Sequence, residues 1–176
     1  MRIHSSSVFL AAIAVACASA AAAADKSDKQ LIENAISAAP KAVGKDAAVV
    51  NWEMKTLRKG TNGFTCIPDD PSTPTDDPMC TDKNGMEWMN AYMSKKEPPK
   101  GKVAFAYMLK GGSAASNTDP FATKPPEGAD WLHDGPHVMV MNAPDIMALY
   151  PHEPVVNQPY VMFPDTPYAH LMIPVK

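Results

Sequence analysis

Four side chains near the carboxyl end stand out for their donor atoms. His137 and Met139 lie in the run His137-Val138-Met139-Val140-Met141, and His170 and Met172 lie in His170-Leu171-Met172-Ile173. Each pair is spaced by two residues, and in a β-strand residues i and i+2 point to the same face. Imidazole nitrogen and thioether sulfur suit copper, Cu(I) above all, whereas carboxylate-rich sets suit Ca²⁺ or Mg²⁺. Should the two strands be neighbours in one sheet, their His and Met side chains would gather on one face, with His133 or His152 reaching in from a loop. A three-nitrogen zinc site of His133, His137 and His170 is the weaker variant. Against both stands the plainer reading that methionine fills cores and that a histidine beside it is a satisfied buried side chain.

The same residues admit acid–base chemistry. His133 or His137 oriented by Asp134, or His170 with Asp165 across a sharp turn, would make a small hydrolase that activates water. The chain contains no G-x-S-x-G and no H-E-x-x-H, the patterns that would mark a serine or zinc hydrolase. Binding is therefore favoured over catalysis, and no catalytic residue is assigned. A third reading makes the Pro-rich loops and Trp131 a recognition surface for a small molecule or an envelope protein.

The compartment decides which ligands a metal site can use. Arg2 and His4, the apolar run Val8 to Ala16, and Ala22-Ala23-Ala24 before Asp25 read as a secretory signal. The expectation is export to the bacterial periplasm, with the mature chain running from 25 to 176. The apolar run falls well short of the roughly 20 residues that span a bilayer, so no spanning helix is expected. Ala14-Val15-Ala16 before Cys17 loosely matches a lipoprotein signal, but Ala14 stands where leucine is usual, which makes lipidation the minor alternative. Cys66 and Cys80 are the only other cysteines. In an oxidising compartment they should pair, leaving Met and His as the soft donors. The formal charge of −3 and the single arginine of the mature chain, Arg58, argue against nucleic acid as a partner.

The elements that would carry these residues follow from periodicity. Ser27 to Gln30 fits a capping box, and Leu31, Ile32, Ala35, Ile36 and Ala39 recur at helical spacing until Pro40. From Ala48 the period becomes two, with Val50, Trp52 and Met54 on one face. Lys59 to Gly63 is turn chemistry, so Phe64 to Ile67 is expected to return as the hairpin partner. The acidic, proline-rich segment Asp69 to Pro78 has no EF-hand spacing and reads as a solvated loop. Met86, Met89 and Met93 with Trp88 and Tyr92 form a helical stripe. Val103, Phe105, Tyr107 and Leu109 alternate as a strand. Gly111 to Pro136 lacks periodicity and reads as a long loop; no helix follows Gly111-Gly112, so nucleotide binding is dismissed. Pro164 and Pro167 force a tight break between the last two strands, bringing Met162 beside His170 or Met172, and Pro174 places the last strand at an edge or ends it.

The sum is one α+β domain: a mainly antiparallel sheet of about five strands, two main helices and long Pro/Gly-rich loops. The stretch His133 to Lys176, with His-Asp-Gly-Pro-His-Val-Met-Val-Met and Pro-Tyr-Ala-His-Leu-Met-Ile-Pro-Val, resembles a group of secreted bacterial proteins without an assigned activity. The resemblance covers the last quarter of the chain and implies an exported bacterial origin, with no substrate, cofactor or catalytic residue to carry over. The functional expectation is an exported small binding protein, copper-handling through His133, His137, Met139, His170 and Met172.

Overall fold

The computed structural model describes residues 27–155 and 157–175. The signal sequence read at 1–24, with Cys17, lies outside the described residues. Helix α1 covers 27–36 and α2 Lys41–Gly44. Strands β1 (Ala48–Val50), β2 (Thr56–Arg58), β3 (Thr65–Ile67) and β4 (Met79–Thr81) lead to α3 (Lys83–Met93). The chain continues through β5 (Ala104–Met108), β6 (Gly112–Ala114), β7 (Leu132–Asp134), β8 (His137–Met141), α4 (Pro144–Met147), β9 (Tyr160–Met162) and β10 (His170–Pro174). Eight strands form one sheet in the order β2-β1-β3-β4-β5-β8-β10-β9, and β6 with β7 forms a separate ribbon. The class is α+β, as expected. The strand number exceeds the expected five because the added pieces are three residues long, too short to show a period, and α2 and α4 are single turns.

The strand expected to run through Trp52 and Met54 stops at Val50. The Asn51 side chain accepts a hydrogen bond from the Lys55 amide, and the Asn51 amide bonds the Lys55 carbonyl. This local closure competes with extended backbone; Met54 takes φ 60°. The chain reverses into β2, which pairs antiparallel to β1, so β3 emerges parallel to β1 instead of as its hairpin partner. All other ladders of the large sheet are antiparallel.

The sheet has two differently filled faces. One carries Ile67, Met79, Ala104, Ala106, Met139, Met141, Met162 and Met172, packed under Trp88 of α3. Asp82 caps α3 by accepting from the Gly85 amide, and Gly85 lets the helix descend onto β4, since a Cβ there would collide with Thr81 Oγ1. The other face is covered in two patches. Near α1, the small side chains Ala35, Ala38 and Ala39 pack over Cys66 and Cys80; near α4, Met147 and Ala143 pack over Val140, Val161 and Leu171. In β5 the small side chains face inward. Ala104 and Ala106 are fully buried, while Phe105 is 47% exposed. Alanines fit there because methionines from β8 and α3 fill the space above them.

Cys66 and Cys80 are direct cross-strand partners in β3 and β4, joined by a disulfide and fully buried. Closing a loop near 15 residues restricts the unfolded chain by about 3 kcal/mol. The double variant Cys66→Ala, Cys80→Ala is therefore expected to lose about that much unfolding free energy in urea titrations. An unchanged midpoint would show that the staple does not contribute.

Candidate functional site

β8 is the element that assembles the site. It pairs over five residues with β5 on one side and β10 on the other. Met108 stands opposite His137, Ala106 opposite Met139, and Met172 opposite Met139 from the β10 side. Period-two alternation then sends Met108, His137, Met139 and Met172 to one face as a contiguous patch. Gly112 leaves room beside it: a Cβ there would come within 3.1 Å of the Met108 methyl and 3.9 Å of His137 Cε1.

His170 lies on the same face at the other end. His137 pairs with Pro174, so four residues of β10, roughly 13 Å at the strand rise, separate the two histidines along the sheet. His170 is opposite Met141 and Met162 and meets the rings of Trp88 and Phe163 edge to face, with centroids 5.7 and 5.5 Å away. The β9–β10 pairing expected from Pro164 and Pro167 is present, with Met162 against His170. Pro174 ends β10 beyond the reach of β9, which pairs only with residues 170–172.

Both imidazoles are held the same way. His137 Nδ1 lies 2.7 Å from the Gly135 carbonyl and His170 Nδ1 2.9 Å from the Tyr168 carbonyl. A carbonyl only accepts, so each Nδ1 carries the proton and each Nε2 presents a lone pair. His137 Nε2 is buried without a hydrogen-bond partner. Burial lowers the His137 pKa against the opposing pull of the Gly135 carbonyl and of Asp134. Burial, offset in part by the Tyr168 carbonyl and reinforced by repulsion from His137, holds His170 at about 4. Both rings are neutral at neutral pH.

A cavity of about 560 Å³ opens above this face. Met108, His137, Met139, His170 and Met172 line it, with Trp88, Tyr92, Phe121 and Phe163 as aromatic walls. The stretch 111–136, expected to be a long loop, is anchored by the β6–β7 ribbon. Its middle is closed by side chains: Ser116 Oγ accepts from the amides of Thr118 and Asp119, and Asp119 accepts from the Phe121 amide. Tyr92 donates to the Pro120 carbonyl. The acidic segment folds on itself likewise, Asp77 accepting from the Asp70 amide and from Thr73. Burial pushes the Asp77 carboxyl up to about 6.

His133 is apart from this cavity. It is exposed on β7 and lines a second hollow of about 310 Å³ that also touches His137 and Met172. Among the described residues no three His, Cys, Asp or Glu side chains gather as a metal site, so the zinc trio of His133, His137 and His170 does not form. The ribbon carries His133 away, and the β8–β10 register separates the other two. His152 is also exposed. Two of the hydrolase pairs, His137 with Asp134 and His170 with Asp165, are not assembled. His137 Nδ1 is held by Gly135 and not by Asp134, whose carboxylate instead accepts from the Tyr160 hydroxyl at 2.8 Å. His170 is held by Tyr168, and Asp165 is exposed.

Met108 is the residue that sequence reasoning missed, because the alternation of Val103, Phe105, Tyr107 and Leu109 drew attention to the opposite face of β5. Its signal was volume: an Ala-x-Ala-x-Met stripe facing a Met-rich strand fills space better than a stripe of Phe and Tyr would.

These features define an α+β protein with an apolar cavity floored by methionines and two neutral imidazoles. No protein family's sequence profile matches the chain, and neither a curated protein nor a solved structure is significantly similar to it. Among the described residues no helix is long and apolar enough to cross a membrane.

The buried histidines set a pH dependence. Unfolded histidine titrates near pH 6.5, and burial lowers both folded values. Between about pH 6.5 and 4 the unfolded chain binds more protons, so stability falls as pH falls through that window, by about 3 kcal/mol for His170 alone. Melting curves should show the midpoint dropping from about pH 7.5 to 5, with a smaller drop in His170→Gln. An identical drop in the variant would exclude His170 as the cause.

Proposed function

We propose that this is a small exported binding protein that holds one copper ion, as Cu(I), at His137, Met108, Met139 and Met172. The observation that carries the reading is the state of His137: a buried, neutral imidazole whose Nδ1 is locked on the Gly135 carbonyl and whose Nε2 has no partner among methionines. Histidine ligands to metals commonly donate their other ring N–H to a backbone carbonyl, which fixes the tautomer and turns the ligating nitrogen toward the ion. Thioethers and one imidazole form a soft, uncharged donor set that favours Cu(I) over Zn²⁺ and excludes Ca²⁺ and Mg²⁺.

Two other features support it. The disulfide occupies both described cysteines, so a soft ion taken up here would have to rely on sulfur from methionine. Methionine side chains are also flexible enough to cover the nitrogen when no ion is bound and to move aside for one. His170 belongs to the aromatic end of the face, where it acts as a packed neutral ring. The expected five-residue ligand set thus contracts to His137, Met139 and Met172 and gains Met108.

Purified protein titrated under reducing conditions against the chromophoric Cu(I) chelator bicinchoninate is expected to take about one copper per chain. His137→Ala should weaken binding by about 100-fold or more, since losing even the outer partner of a ligating histidine costs 10–100-fold. Met108→Leu and Met172→Leu, which preserve volume, should each weaken it by about tenfold, and His170→Gln by less than about threefold. Absence of stoichiometric uptake, or equal affinity in the His137 and Met172 variants, would refute the assignment.

A further inference from the structure

A copper ion would fill only a corner of the cavity, and about 560 Å³ is the size of a site for a small organic molecule. We infer that the cavity above the methionine floor binds a neutral, largely apolar organic molecule carrying a hydrogen-bond-accepting oxygen, such as an aromatic ketone or ether. This goes beyond the copper reading and does not depend on it.

The walls are already built. Trp88 stacks on Tyr92 with centroids 5.6 Å apart, Tyr92 stacks on Phe121 at 5.4 Å, and Tyr168 meets all three edge-on. The outer wall is pinned by the Tyr92 bond to Pro120 and by the Phe163 amide, which donates to the Asn117 carbonyl at 2.8 Å. A site whose walls are held by their own packing needs little ordering when a ligand enters.

The charge of the ligand follows from the state of the rim. Asp70 accepts from the Ser72 amide, Asp77 from Asp70 and Thr73, Asp119 from Phe121, and Asp134 from Tyr160. Each of these carboxylates at the cavity is already engaged by the protein's own donors. The ammonium of Lys95 lies over the Phe121 ring, 4.9 Å from its centroid. An anion would meet four acidic side chains, whereas an uncharged molecule avoids that repulsion and matches the apolar floor and aromatic walls.

The acceptor oxygen follows from Trp88. Its indole N–H is buried in the wall and has no acceptor in the protein. Buried N–H groups are almost always paired, and leaving one unmade is costly. Trp88 shares its core cluster and the cavity lining with methionines, whose flexible side chains can shift to let a carbonyl or ether oxygen reach the N–H.

The test uses metal-free protein, kept with a chelator so that the outcome is independent of copper. The probe is the neutral naphthyl ketone 6-propionyl-2-(dimethylamino)naphthalene, whose emission shifts to the blue in apolar surroundings. The expected result is saturable binding of about one probe per chain, with the anionic 1-anilinonaphthalene-8-sulfonate binding at least about tenfold more weakly. Trp88→Phe should weaken the ketone about fivefold, the worth of one hydrogen bond, and leave unsubstituted naphthalene unchanged. Ala114→Trp, which fills the cavity from the β6 edge, should abolish binding of both and serves if the Trp88 variant does not fold. No saturable binding, equal binding of the anionic probe, or binding undiminished by Ala114→Trp would overturn the inference; so would equal losses of ketone and naphthalene in a folded Trp88→Phe.

Discussion

The antiparallel pairing of β8 with β5 and β10 is the constraint on which the rest of the molecule depends. Because side chains alternate along a strand, a slip of one residue in either ladder would turn Met108 or Met172 to the opposite face. The register observed, Met108 with His137 and Met172 with Met139, is held by the hydrophobic patterns on both sides of the sheet at once. Val140, Val161 and Leu171 require cover from α4 while Met139, Met141 and Met162 require cover from α3.

The second organising fact is that two imidazoles are buried as neutral rings in a methionine-rich interior. Each is given one backbone carbonyl and no carboxylate partner on its ring. An unsatisfied buried nitrogen such as His137 Nε2 costs about 1–3 kcal/mol, and stable cores ordinarily avoid such atoms. The Trp88 N–H carries a similar cost in the same cavity. Both unpaired atoms belong to residues that line the same cavity.

The long central segment shows how irregular chain can be ordered without regular structure. Its glycines, prolines and short polar side chains give no period. Ser116 and Asp119 nonetheless fold it by hydrogen bonds to neighbouring amides, and Phe121 inserts into the aromatic wall. The segment from 69 to 77 is organised in the same manner by its own carboxylates. Both surround the cavity, so the rim is made of self-closed loops and the floor of strands.

Local pattern was enough to read the α+β class, helices α1 and α3, the common face of His137 with Met139 and of His170 with Met172 within each strand, the β9–β10 pairing and the cysteine pair. Each of these follows from a period or a turn signal carried by neighbouring residues. Tertiary structure alone decided which face of β5 turns inward, that β3 runs parallel to β1, that His133 stands on a separate ribbon, and that His137 and His170 occupy opposite ends of their shared face. Those outcomes depend on strand order, register and the volumes of side chains distant in the chain, and no periodicity within a single strand encodes them.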